Sequence, residues 1–158
     1  MPPIIHSPII HSIGHSSHSE ADFLALLHRH DIALLADVRS VPASRYVPRF
    51  SERNLRQWLP QGGVVYRWLG DRLGGKPRAT PERFQDGIAA LLDLGRGQKV
   101  AMMCAERDPA HCHRTHLVTP ALLAAGAQVL HILADGGIED HAELQKRLAP
   151  KQADLFGG

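Results

Sequence analysis

Residues 32–38 read Ile-Ala-Leu-Leu-Ala-Asp-Val, an apolar run broken only by one acid near its end. A strand with one wet face alternates apolar and polar residues, whereas a strand covered on both faces does not, and parallel sheets are built from the second kind. Parallel neighbours also need crossover connections, usually helical. The run therefore predicts more strands of its kind, separated by amphipathic helices.

The remaining sequence follows that pattern. Ile9 to Ile13 is a β-branched run ending at Gly14, and Val64 to Leu69, Lys99 to Cys104 and Val129 to Leu133 are further strands. Ser19 caps a helix from Glu20 to Arg29 that buries Phe23, Leu24, Leu26 and Leu27. Ser51 caps a short helix through Leu59. Thr80 followed by Pro81 opens a helix to Leu94, with Gly95 and Gly97 ending it. Two more helices run from His113 to Ala125, stopped by Gly126, and from Glu139 to Leu148. The expectation is a single α/β domain over residues 1–149. Its sheet is mostly parallel, of about five strands, with helices on both faces and right-handed crossovers.

A chain of 158 residues suits one domain with a real core. No apolar run approaches the ~20 residues of a membrane span. The start, MPPIIHSPIIHS, lacks the basic segment and cleavage site of an export signal. With only two cysteines, this reads as a cytoplasmic protein with no structural disulfide.

Net charge is +2, but residues 39–78 carry +7 and the remainder −5. A basic middle third implies an anionic partner such as a nucleotide or nucleic acid, or merely a solvated basic surface. Tyr46, Trp58, Tyr66 and Trp68 lie in that segment. They are candidates for base stacking, or for the core in the case of the tryptophans.

Polar motifs follow each expected strand: Gly14-His15-Ser16, Asp37-Val38-Arg39-Ser40, Gly70 to Gly75, Cys104-Ala105-Glu106 and Asp135-Gly136-Gly137. In open parallel sheets, ligands bind at the carboxyl ends of strands. Taken together, SIGHS at 12–16, DVRSVPASR at 37–45, LGDRLGG at 69–75 and CAERDPAHCHR at 104–114 resemble the bacterial and archaeal DUF488 family. The resemblance runs from Ile10 to Ile132 and implies membership without implying a particular reaction.

Residues 102–116 hold both cysteines, three histidines and Glu106, and they allow three chemistries. Cys104, His111, Cys112 and His113 are competent metal ligands. However, an eight-residue separation of the cysteines departs from the usual two to four, and Cys104 also reads as a small buried hydrophobe. Cys112, at a helix start beside Arg114, could be an activated nucleophile. The reading placed first is an anion site. His113 and Arg114 at the helix start, Arg39, Ser40, Arg45, and the Gly74-Gly75-Lys76 turn would hold phosphate. Glu106 and His15 would be acid–base groups and Asp37 would orient Arg39, which is also open to a structural ion pair with Asp37 or Glu106.

After Leu148, residues 150–158 read as a flexible tail begun by Pro150. Gln152, Leu155 and Phe156 resemble the peptide by which bacterial replication and repair proteins dock into the sliding clamp. Two function classes are therefore expected: an enzyme on a phosphate-bearing substrate, in DNA repair or metabolism, or a non-catalytic DNA-associated module recruited to the clamp.

Overall fold

The computed structural model describes residues 7–156, with side chains from 7 to 149. Its sheet has six strands: β1 (Ile9–Gly14), β2 (Leu34–Asp37), β3 (Val65–Trp68), β4 (Val100–Cys104), β5 (Gln128–Ile132) and β6 (Ile138–Asp140). They lie in the order β3-β2-β4-β1-β5-β6, with only β6 antiparallel.

Alternate strand residues face two separate cores. Ile10, Leu34, Val100, Met102 and Val129 face one, Ile13, Leu35, Ala101, Met103 and Ile132 the other. Helices α1 (Glu20–Arg29) and α2 (Glu52–Gln61) cover the second face through Phe23, Leu27, Leu55 and Leu59. The first face is covered by α3 (Gly70–Leu73), α4 (Pro81–Gly97) and α5 (Thr119–Ala124). Each fully buried leucine contributes about 1.5–3 kcal/mol, so coverage of both faces is what holds an all-apolar strand such as β2 in place. The chain ends in α6 (His141–Phe156).

Two of the three expected caps form. Ser19 accepts from the Asp22 N–H and Thr80 from the Arg83 N–H. Ser51 does not cap α2; its hydroxyl accepts from the Ser44 N–H and ties the preceding loop instead. Three further expectations are corrected. Gly70 to Leu73 forms one helical turn rather than open loop. The last helix begins after a short strand, β6, and continues past Pro150 to Phe156 instead of stopping at Leu148. Proline costs a helix one N–H, and the surrounding alanines, lysine, glutamine and leucine favour continuing. The side chains of Gln152, Leu155 and Phe156, expected to dock into a clamp, lie outside the described residues. Among the described residues no helix is long and apolar enough to cross a membrane.

The connections locate the site. From β1 the chain crosses one face through α1 to β2, and from β4 it crosses the opposite face through α5 to β5. β1 and β4 are neighbours, so their outgoing loops separate above the sheet. That topological switch point is where doubly wound sheets open a crevice.

Candidate functional site

A cavity of about 690 Å³ opens there, lined from four loops. His15 follows β1, Arg39 to Ser44 follow β2, Gly75 and Lys76 follow α3, and Cys104 to Glu106 with His111 to His113 follow β4. Four of the five polar motifs thus meet as expected. The fifth does not: Asp135 to Gly137 turns toward α1, where Arg29 donates to the Asp135 carbonyl and His30 to that of Gly136.

Backbone pairing sets the crevice floor. The His15 and Ser16 N–H groups donate to the Cys104 and Ala105 carbonyls, extending the β1–β4 ladder beyond the strands. Gly14 sits beneath this extension, and a β-carbon there would run into the Glu106 carbonyl and lie 2.8 Å from Arg114 Nη1. Gly14→Ala is expected to lower stability by about 1–3 kcal/mol, the usual cost of overpacking a filled site. Thermal denaturation checks this, and an unchanged melting temperature would mean that the segment after β4 yields freely. Gly74 is likewise a packing glycine, since its β-carbon would meet the Ser40 hydroxyl.

Arg39, expected to hold phosphate, is committed elsewhere. Its Nε and Nη2 donate to the two carboxylate oxygens of Asp37 at 2.9 and 2.7 Å, and Nη2 also reaches the Phe50 carbonyl at 2.7 Å. Both residues are buried. The ion-pair alternative therefore describes Arg39 and Asp37 here: a desolvated fork is held by its own carboxylate, because leaving either charge alone would be costly. Tyr66 donates to the same carboxylate at 2.6 Å, and burial with the adjacent negative charge pushes its phenol pKa up. Trp58 and Trp68 give their indole N–H groups to the Arg49 and Arg39 carbonyls. These three aromatics are structural, and only Tyr46 is free to stack, being 91% exposed.

His15 is also spoken for. Its Nδ1 donates to the Ser16 carbonyl at 2.8 Å, which leaves Nε2 to accept from Arg39 Nη1 at 3.3 Å. Its ring stacks on Phe50. Burial brings its pKa down to about 4, so it is neutral and hydrogen-bonded at both nitrogens, not a free acid–base group.

Arg114 corrects the anion reading most sharply. It is wholly buried, so it cannot meet a ligand in the cavity. The helix start responsible is a π-helical turn, Arg114–Val118, closed by the Thr119 N–H and hydroxyl, both donating to the Arg114 carbonyl. Such turns shift side-chain direction within a helix, and here Arg114 points under the loop after β4. Its Nη1 donates to Cys104 Sγ at 3.3 Å and to the Glu106 carbonyl at 3.2 Å, and Nη2 reaches the Arg107 carbonyl at 3.4 Å. His113 is a strut, its Nε2 donating to the Val38 carbonyl at 3.0 Å. Arg45 is exposed and does not line the cavity.

The cysteines also depart from expectation. Cys104 and Cys112 are joined as a disulfide, where none was expected. A 3-10 turn at Pro109–His111, capped by Asp108 accepting from the Ala110 N–H, folds the eight-residue separation back onto β4. In this state Cys112 is not a free nucleophile. As metal candidates both sulfurs are taken up by each other, and His111 lies 3.9 Å from Asp108 at the surface. Among the described residues no group of three or more His, Cys, Asp or Glu side chains is arranged to hold a metal ion.

Two cavity charges have no such commitment. Neither the Lys76 ammonium nor the Glu106 carboxylate has an ion-pair partner among the described residues, while Asp37 and Asp108 are paired. Lys76 is positioned by its own N–H, which donates to Ser40 Oγ at 2.9 Å.

One polar network was not anticipated. On the face covered by α5, Ser12 Oγ lies 2.5 Å from His131 Nδ1, and His131 Nε2 lies 3.2 Å from His141 Nδ1. Ser12 appeared in the sequence only as a motif position. Nothing local ties it to a histidine 119 residues away.

No curated protein and no solved structure matches this chain. The family model described as Domain of unknown function DUF488 matches residues 20–83 and 76–120. These segments run from the start of α1 into α5 and contain three of the four cavity-forming loops. With most of its length matched, and with the motifs after β2, β3 and β4 gathered at one crevice, the chain belongs to the DUF488 family.

Proposed function

We propose that this protein is an enzyme acting on a phosphate-bearing substrate, a nucleotide or nucleic-acid component, in the cavity above β1 and β4. The observation that supports this reading is the pair of uncommitted opposite charges, Lys76 and Glu106, lining one open polar crevice whose other charges are already matched. An exposed ammonium beside the Gly75 backbone suits an anionic oxygen, and glycine permits close approach. Glu106 is left as the general acid–base group. Tyr46 lies two residues beyond Ser44, which lines the cavity, so a base could stack at the rim with its phosphate inside.

Binding of nucleoside monophosphates and short single-stranded DNA, followed by calorimetry, tests the reading. Lys76→Ala is expected to weaken binding about 10- to 100-fold, the value of one charge-assisted hydrogen bond. Glu106→Gln is expected to keep affinity and lose turnover. Binding that Lys76→Ala leaves unchanged would reject the phosphate site, and unchanged cellular function in Glu106→Gln would favour a non-catalytic module.

A further inference from the structure

Arg114 presents an unresolved electrostatic problem. It is fully buried, its Nε has no hydrogen-bond partner, and among the described residues no carboxylate lies within the 4.0 Å of an ion pair. Burial lowers its pKa only to about 10, so the guanidinium remains charged at neutral pH. A buried cation normally sits against an anion, because unpaired burial carries a heavy desolvation cost. The one side chain to which it donates is Cys104, through Nη1 at 3.3 Å. As part of a disulfide that sulfur is neutral; reduced and ionised, it would be the missing anion.

Cys112 is placed differently. Its sulfur accepts the Arg114 backbone N–H at 3.4 Å and lies 3.8 Å from His113 Nδ1. Burial lowers the His113 pKa, which keeps that ring neutral. The two sulfurs are therefore unequal: Cys104 takes its hydrogen bond from the guanidinium itself, Cys112 only from a backbone N–H. Both line the cavity.

We propose that Cys104 and Cys112 are a reversible redox couple serving thiol–disulfide exchange with a small thiol that enters this cavity, with Cys104 as the thiolate and Arg114 as its counter-charge. The step runs through Cys112. An incoming thiolate, its proton released to water, attacks Cys112 Sγ; a mixed disulfide forms, the Cys104–Cys112 bond breaks, and its electron pair leaves on Cys104 beside Arg114. A second thiol attacks the mixed disulfide, giving up its proton to Cys112, and the small disulfide departs. Two thiols are oxidised, the protein disulfide is reduced, and one proton is released because Cys104 stays ionised. Leaving-group stability sets this polarity, since the thiol of lower pKa leaves faster. The couple stands independently of the phosphate reading, which uses Lys76 and Glu106.

The other charged or titratable groups around the couple are His15, Arg39, Lys76, Glu106 and His111 on the cavity wall, and Asp108; the fields of Asp108 and Glu106 both act on Arg114, though neither carboxylate pairs with it. The test isolates each thiol. In Cys112→Ser, thiolate absorbance followed against pH is expected to give a Cys104 midpoint below about 7, against an ordinary value near 8.5. In Cys104→Ser, the Cys112 midpoint is expected to lie above that of Cys104, because its sulfur is one step further from the guanidinium. Adding Arg114→Met to Cys112→Ser should raise the Cys104 midpoint by more than one pH unit. Wild-type protein equilibrated in glutathione buffers should interconvert fully between disulfide and dithiol, read by alkylation and mass. A Cys104 midpoint at or above that of Cys112 overturns the assignment even if the arginine variant fails to fold. Failure of the bond to re-form in oxidised glutathione overturns the couple itself.

Discussion

Asp37→Asn is expected to cost about 3–5 kcal/mol of stability, the loss seen when one partner of a buried ion pair is removed. Asp37 is completely buried, and its two oxygens accept four hydrogen bonds: the Arg39 N–H, Nε and Nη2, and the Tyr66 hydroxyl. Asparagine keeps the shape but replaces one acceptor with a donor. It would then confront either Arg39 or Tyr66 with a second N–H, while leaving the guanidinium without its charge partner. The damage reaches the cavity, since Arg39 also holds the Phe50 carbonyl and His15 Nε2. Urea unfolding of Asp37→Asn measures the cost. Replacing both partners, as Asp37→Leu with Arg39→Met, should recover part of it, because an apolar pair leaves no buried charge unmatched. A loss below about 1 kcal/mol for the single variant would mean the pair is screened like a surface bridge.

This pair also shows where the sequence was legible and where it was not. Two residues apart in the chain, Asp37 and Arg39 could be seen as partners, and the ion-pair alternative was open from the start. Arg114 was different. Its place at a helix start is visible in His113-Arg114, but its direction depends on the π-helical turn that follows, and no local pattern announces that turn. The core strands and the Ser19 and Thr80 caps were readable because burial on both faces and capping leave direct marks on composition. β6 was not, because Ile138–Asp140 holds one apolar residue and pairs only with β5. The cysteine bond was missed for a related reason: its closure depends on how the loop after β4 folds back through the Pro109 turn, not on spacing. What sequence predicted about the site was its edge of the sheet, since a parallel topology sends every strand's outgoing loop to the same side. Which charges on that edge remain free for a ligand is decided by burial, and that is a property of the folded chain.

Burial decides the response to acid as well, and the second large effect is expected between pH 6.5 and about 4. Burial takes His11 and His15 down to about 4 and His131 to about 3, with His30 adding to the effect at His11 and Arg114 at His131. His113 and His141 shift the same way. In the unfolded chain each imidazole titrates near 6.5. Native pKa values below the unfolded value mean that the unfolded state binds protons the native state refuses. The stability these groups contribute is therefore fully present above pH 6.5 and is lost as pH falls through the native values. Asp108 and Asp140 carry lowered pKa values, so their stabilisation is lost only below the ordinary carboxylate range. The histidine window lies above theirs and can be read separately. The melting temperature should be level from pH 8 to 7 and fall steadily below 6.5, and calorimetry in buffers of different ionisation enthalpy should show proton uptake on unfolding at pH 5. His131→Gln should reduce that uptake, since glutamine can still meet Ser12 but takes no proton. A melting temperature that stays level down to pH 5 would show that these imidazoles are hydrated and titrate in the native state as they do in the unfolded chain.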